Sequence, residues 1–454
     1  MNKTRRSSFS LALFSAIGLA ATVQISIQVP QQRSVSGRIL GGPAQVVAWI
    51  RQNADRLNTD EPKSGLQDVE SLQRIIGSAR IVALGEATHG SREFFSIKHR
   101  IFELLVEKMG FTLFGIEANW SECLPINDYV VHGVGDPARL LAATLFWTWK
   151  TEEFLDLIRW MRQYNEDPRH TIKVKFCGFD MQRVRPAAEF LTTYLTRVDR
   201  QYSEEIATTL NELRVAEGLR SRGEWDRVWP KTKAPVETLE RRLTEKRVSY
   251  VSRSGEKEWL EASGHARMLR QAVQMYSAGL KGEPSPRDGF MAENIEWIRN
   301  EEGPEARMMV WAHNGHVALS GAAMGSCLRK RGVNIVAVGF VFDQGSFRAI
   351  DRTSAATQRG VLRTFSLGPA PEGSLDATLA AARIPLFLLD LRVARGAVAQ
   401  WFQNVRWTRE IGAVFSGDAL ALKRVVPAKD HDILLFVDRI TASRPLLESR
   451  TSGR

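Results

Sequence analysis

Seven short apolar runs, separated by turns and helical patterns, constrain this chain more than any other feature. They are "RIVAL" (80–84), "FTLFGIEA" (111–118), "TIKVKFCGFD" (171–180), "ARMMVWAH" (306–313), "GVNIVAVGFVF" (332–342), "IPLFLLDL" (384–391) and "DILLFVDRI" (432–440). Runs of this length that are mostly apolar, rather than apolar at every second position, suit strands buried on both faces. Helix-period stretches separate most of them, and "AQVVAWIRQNADRL" (44–57) precedes the first. The alternation predicts an α/β fold, a largely parallel sheet flanked by helices.

Residues 183–303 break the pattern. They hold no strand-like run but several helix-period stretches, among them "VETLERRLTEKRVSYV" and "EWLEASGHARMLRQAVQMYSA". We read them as a helical insertion or subdomain forming one wall of the active-site cleft. With 454 residues the chain exceeds a typical single core, so a large domain carrying an insertion is expected. The α/β domain is assigned to 43–445, a linker ("PQQRSVSGRILGG") to 30–42 and a disordered tail to 446–454. Residues 1–29 begin with the basic "MNKTRR" and continue into the apolar "FSLALFSAIGLAATV". That is the make-up of a secretory signal peptide, or of an N-terminal anchor if uncleaved. The expected location is therefore exported (periplasmic or secreted) or membrane-anchored; a cytoplasmic one follows if the segment is not a signal. No later stretch has the ~18 uninterrupted apolar residues of a membrane span, so membrane contact is expected only through an uncleaved N-terminus.

The formal charge of +11 is spread over basic residues interleaved with acids, as in Lys246-Arg247 and Arg329-Lys330-Arg331. This is a solvated basic surface, and no nucleic-acid partner is expected. The three cysteines, Cys123, Cys177 and Cys327, are far apart and form no CxxC; neither a disulfide framework nor a cysteine zinc site is expected. Cys123 has no evident helper beyond His132 and is discounted as a nucleophile. The GxSxG elbow, GxxxxGK[ST], GxGxxG and HExxH are all absent, which removes the local signals for a serine hydrolase, a nucleotide site and a zinc protease.

The chemistry collects at the carboxyl ends of the apolar runs. "RIVAL" leads to Glu86 and His89, "FTLFGI" ends in Glu117, "KFCGF" ends in Asp180, and "MMVWA" ends in His313 with His316 three residues on. In an open parallel sheet these ends share one edge, where ligands bind. Three of the eight histidines fall there, and we expect them to share one site. Two readings stand for Asp180, a cap for the following helix or a member of the site. Glu86 likewise either accepts loop amides or takes part in the chemistry.

"REFFSIKHRIFELLVEKM" (92–109) reads as a helix stopped by Gly110. At 100° per residue Phe94, Phe95, Ile101, Phe102, Leu105 and Met109 form one stripe. Lys98 falls at its centre, away from Arg100 and Glu103 on the polar side. A charge there is costly unless it snorkels or is paired, and the sharper reading pairs Lys98 with Glu86 or Glu117. Trp147 and Trp149 in "WTWKTEEFLDLIRWMRQYN" either line an apolar pocket or pack in the core. In "RDGFMAENIEWIRN" (287–300) Asp288 reads as a helix N-cap, with Met291, Ile295 and Ile298 on the core face. Arg287, Asp288 and Glu293 are candidate substrate-binding groups together with Asp180 and Trp147.

In order along the chain, "LGEATHGSREFFSIKHR", "FGIEANW", "FWTWKTEE", "GFDMQ", "RDGFMAENIEWI" and "WAHNGHV" resemble the erythromycin esterase family. The resemblance implies an α/β core with a helical part and a cleft between them. It implies hydrolysis of a macrolide lactone, as in the family's resistance enzymes, with a histidine acting as general base on water. The essential groups it implies are Glu86, His89, Glu117, His313 and His316, with Lys98 where resistance enzymes carry a basic residue, in some an arginine. The expected partner is a small-molecule ester or lactone, and no cofactor is expected.

The leading expectation is a metal-independent hydrolase. His89 takes a proton from water, Glu86 or Glu117 orients it, and Lys98, His313 or His316 stabilises the oxyanion, each such donor worth on the order of 3 kcal/mol. A rival uses Glu86, His89, Glu117, His313 and His316 as ligands for zinc or manganese in a hydrolase of another substrate. A third alternative is a non-catalytic protein that captures a hydrophobic small molecule.

Overall fold

The computed structural model describes residues 43–219, 222–354 and 360–446. The signal-like segment, the linker and the tail beyond Leu446 lie outside the described residues. The strands are β1 (Asp55–Arg56), β2 (Ile81–Leu84), β3 (Leu113–Asn119), β4 (Lys175–Asp180), β5 (Met308–Trp311), β6 (Ile335–Asp351), β7 (Val361–Leu367), β8 (Leu386–Asp390), β9 (Arg406–Arg409), β10 (Val414–Phe415), β11 (Leu422–Val425) and β12 (Ile433–Ile440). Each of the seven apolar runs falls on one of these strands, with β3 and β6 extending beyond their runs to Asn119 and Asp351. Ten strands form a single sheet in the order β1-β8-β12-β6-β2-β5-β3-β4, with β7 and β10 paired to β6. From β12 to β4 every neighbouring pair is parallel, whereas β8 runs antiparallel to β12 and β1 antiparallel to β8. β9 and β11 form a separate two-stranded sheet.

β2 explains the apolar runs. All four residues of "IVAL" are fully buried. Val82 and Leu84 pack on the face covered by the helix Arg92–Met109, while Ile81 and Ala83 point into the cluster built with the helical part. A strand buried on both faces has no polar alternation to show.

Between β4 and β5 the described residues form helices only: Arg185–Val198, Arg200–Ala216, Arg222–Glu245, Arg247–Ser254, Glu256–Lys281 and Arg287–Glu301. They bury Leu191, Leu195, Leu239, Leu269, Met291 and Ile295 against one another and against the sheet. Among the described residues no helix is long and apolar enough to cross a membrane.

The helix Arg92–Met109 has the predicted ends. Ser91 caps its first turn by accepting from the Phe94 amide, and Gly110 closes it at φ 69°. The expected polar side is corrected: Arg100 and Glu103 are buried too. The segment before β2 covers them, so that Arg100 donates to Asp68 at 2.6 Å and to the Gly65 carbonyl at 2.7 Å, and Glu103 accepts from the Lys63 amide at 3.2 Å. A helix covered on both sides cannot be told from a half-exposed one when its outer face is charged and the cover is polar.

Candidate active site

Strand register brings the site together. Leu84 of β2 is paired with Trp311 of β5, which is paired with Ile116 of β3, and Asn119 is paired with Asp180 at the end of β4. Glu86, His313 and Glu117 therefore emerge two, two and one residues beyond level positions on three adjacent strands. Close packing at this edge needs Gly85. A Cβ there would lie 2.1 Å from Asn314 Oδ1, and Asn314 ties the loop to β6 through both the amide and the carbonyl of Phe340.

Glu86 is the floor of the site and is fully buried. Its Oε2 accepts from Lys98 Nζ at 2.5 Å and from Trp311 Nε1 at 2.7 Å, and its Oε1 pairs with His89 Nδ1. The Lys98 ammonium lies 4.1 Å from the Trp311 ring centroid, adding a cation–π contact. Burial alone would raise the Glu86 carboxyl, but Lys98 and His89 outweigh it and hold the group below its usual range. Burial dominates at Lys98, which falls to about 8 despite Glu86. With Nδ1–H directed at a carboxylate, the lone pair of His89 is on Nε2. Trp149 flanks the ring at 6.3 Å and His313 at 5.4 Å, centroid to centroid.

A second layer surrounds Glu117. Its Oε1 accepts from Arg287 at 2.7 Å and faces His316 Nε2 at 3.3 Å, while Oε2 accepts the His313 backbone amide at 3.0 Å. Arg287 also forks onto Asp180, at 3.2 and 2.7 Å. His316 Nδ1 donates to Asp288 at 2.8 Å. Nε2 of His316 also lies 3.0 Å from Arg287, a contact that would suit a neutral ring. The two carboxylates on the ring, Glu117 and Asp288, decide for the imidazolium. Burial opposes that charge, but Glu117 and the bond to Asp288 raise the ring to about 10. Glu117 is correspondingly held well below its ordinary range: burial pushes it up, and His316 and Arg287 pull it further down.

Linkage gives this a measurable consequence. A folded value near 10 against about 6.5 for free imidazole means that the His316 contribution is complete below pH ~6.5 and is lost as pH rises through 10. Urea titrations at a series of pH values should show the stability difference between the native protein and His316→Asn shrinking across that window. A difference independent of pH would refute the imidazolium assignment.

The expected residues divide cleanly. Glu86, His89, Lys98, Glu117, His313, His316, Asp180, Arg287 and Asp288 form one connected network. Lys98 is fully enclosed and committed to Glu86, so it positions Glu86 and does not touch an oxyanion. Asp180 does not cap a helix; it holds Arg287. Asp288 is not the N-cap, because the helix starts at Arg287 after Pro286, and its carboxyl in the first turn serves His316 and the Met324 amide instead. Glu293 faces outward and pairs with Arg331 at 3.3 Å, away from the network. Trp147 is buried beneath the Arg348 guanidinium, and Trp149 is the tryptophan beside His89. Burial pushes the Cys123 thiol well above its ordinary range, which removes it as a nucleophile.

Sequence reasoning missed Trp311, Asn314 and Glu410. The first two lie inside strand-end motifs and read as packing residues, while Glu410 sits in "WTREIGAV" with nothing local to mark it. The metal-ligand assignment fits poorly. Among the described residues no three His, Cys, Asp or Glu side chains converge as a ligand set, and Glu86 and Glu117 already face cations. A cavity of about 480 Å³ opens among the helices beside Trp259 and Trp297, and none of the network lines it.

An ionised carboxylate orienting an imidazole, at the carboxyl edge of a parallel sheet and faced by fixed cations, has the make-up of a hydrolase centre. The chain belongs to the erythromycin esterase family, whose model matches residues 106–440. It is 24% identical over 293 residues to erythromycin esterase type II of Escherichia coli, covering 59% of this chain and 68% of that protein. A solved Bacillus cereus protein superposes with TM-score 0.77 at 26% identity, covering 89% of this chain and 99% of that one. A mutant of the erythromycin esterase EreC in its open conformation superposes with TM-score 0.67 at 16% identity, covering 87% and 99%; that likeness speaks for the fold.

Proposed function

We propose that this hydrolase opens a carboxylic ester, of the macrolide lactone class, by attack of water activated at His89. The observation that carries the reading is the buried Glu86–His89 pair with Lys98 and Trp311 beneath it. His89 Nε2 takes a proton from water, and the water oxygen bonds to the carbonyl carbon. Charge that develops on the carbonyl oxygen is stabilised by Arg287 and the His316 imidazolium, the two cations with partly open side chains, at 16% and 22% exposure. The tetrahedral intermediate then expels the ring alkoxide, which receives the proton back from His89. The products, on one opened chain, are an alcohol and a carboxylic acid, which ionises to the carboxylate by releasing the remaining water proton to solvent.

Family membership supports a small-molecule ester as substrate, and the E. coli relative's name supports a macrolide. The test is incubation of purified protein with a 14-membered macrolide, with and without EDTA, read by mass spectrometry. The expected result is a gain of one water that EDTA does not abolish. Turnover that EDTA abolishes would overturn the mechanism, and no gain of water would overturn the substrate class.

A further inference from the structure

Glu410 has no part in water activation at His89, yet its carboxyl is buried against the network. It directly follows β9. The next two residues, Ile411 and Gly412, bond to the loop that carries His89: both of their amides donate to the Ala87 carbonyl, at 2.7 and 3.3 Å, and the Gly412 carbonyl accepts from the His89 amide at 3.3 Å. Oε1 of Glu410 accepts from Asn314 Nδ2 at 2.8 Å. Oε2 lies 3.2 Å from His313 Nε2. That contact is close in distance but off the hydrogen-bond axis, and both atoms are buried without another partner.

Two further contacts fix who can donate. The Asn314 amide cannot flip, because Oδ1 accepts from the Phe340 amide at 3.0 Å and Nδ2 donates to the Phe340 carbonyl at 2.9 Å. Oε1 of Glu410 therefore always meets a donor. On the other side, His313 Nδ1 accepts from the Gly315 amide at 3.2 Å. A neutral imidazole with an acceptor at Nδ1 carries its proton on Nε2, facing Glu410. Burial, aided by His89 and His316 nearby, keeps His313 neutral, at about 3.

We propose that Glu410 is a positioning residue, whose Oε2 holds the His313 imidazole as its Nε2–H tautomer beside the ring of His89. Both nitrogens of His313 are then engaged within the protein. The proton taken from water has His89 as its only imidazole acceptor, and His313 is a fixed wall of the site rather than a competing base.

Glu410→Gln tests this through the asymmetry of the amide. The Gln oxygen must face the pinned Asn314 donor, so its NH2 must face His313 Nε2. Two donors cannot share that contact. The His313 proton moves to Nδ1, and the bond from the Gly315 amide is lost. Nitrogen-15 spectra of histidine-labelled full-length protein, with His313 assigned by its loss in His313→Gln, are expected to show Nε2–H in the native protein and Nδ1–H in Glu410→Gln. In the same variant kcat for macrolide opening is expected to fall roughly 10- to 100-fold with KM changed less than about 3-fold. An unchanged His313 tautomer in Glu410→Gln overturns the proposal, whatever kcat does. Should that variant not fold, the native spectrum decides: Nε2–H supports the proposal and Nδ1–H overturns it. The tautomer readout needs no substrate, so it is independent of the hydrolytic reading on which the kinetic arm rests.

Discussion

His89→Ala should lower kcat for lactone opening at least about 10³-fold while the protein stays folded. General-base catalysis is worth about 10²–10⁴-fold, and this base has no substitute. His313 is held neutral and its two nitrogens face Gly315 and Glu410, and His316 is an imidazolium among carboxylates. Removal of the ring leaves Glu86 bonded to Lys98 and Trp311, so no buried charge is orphaned and the cost in stability should stay within about 2 kcal/mol. Steady-state kinetics and a urea titration on one preparation check both parts. Residual activity within tenfold of the native enzyme would remove His89 from the chemistry.

Lys98→Met should have a different signature. Here the removed partner leaves the Glu86 carboxylate without its ammonium in a fully buried position, and breaking such a pair costs about 3–5 kcal/mol. Stability and activity should fall together, in contrast to His89→Ala. The pH profile gives a second readout. Burial brings Lys98 down to about 8, so the charge that holds Glu86 ionised is lost as pH rises through that value. Activity should decline on the alkaline side near pH 8. Lys98→Arg keeps the charge at any accessible pH and should remove that limb, even if the larger guanidinium lowers the rate. An alkaline limb unchanged in Lys98→Arg would show that another group titrates there.

Much of this arrangement is legible in the chain, for identifiable reasons. The seven apolar runs mark strands because a sheet covered on both faces leaves few polar positions along a strand. Glu86, Glu117 and His313 can be placed together because parallel strands expose their carboxyl ends on one edge. Lys98 stands out because a charge on an apolar stripe needs a partner. The parts that are not legible depend on three-dimensional cover. Arg100 and Glu103 look exposed by periodicity, yet the loop 59–68 packs over them. β7 escapes notice because it alternates exposed residues such as Val361 and Arg363 along a sheet edge, paired to a polar, glycine-bearing extension of β6. Glu410 gives no local signal, since its meaning depends on Asn314 and His313 almost a hundred residues earlier in the chain.

The same logic separates the two carboxylate–imidazole contacts. Glu86 is bonded to Lys98 and Trp311 and is held ionised, so it can support a positive charge on His89. Glu410 has no cation beside its carboxyl, and burial, little offset by the Asn314 bond, pushes it upward; both of its oxygens nevertheless face donors, Asn314 Nδ2 and the His313 Nε2–H that the Gly315 bond requires, and these keep it an acceptor. One pair is built to accept a proton from water. The other is built to keep its ring neutral and still.

The most direct test of water activation at His89 is a single turnover of a 14-membered macrolide in oxygen-18 water, with the opened product fragmented to locate the label. The account predicts one heavy oxygen in the new carboxylate and none in the liberated hydroxyl, because water attacks the carbonyl carbon and the alkoxide leaves with its own oxygen. Label in the hydroxyl, or an unlabelled carboxylate taken from an enzyme side chain, would contradict it.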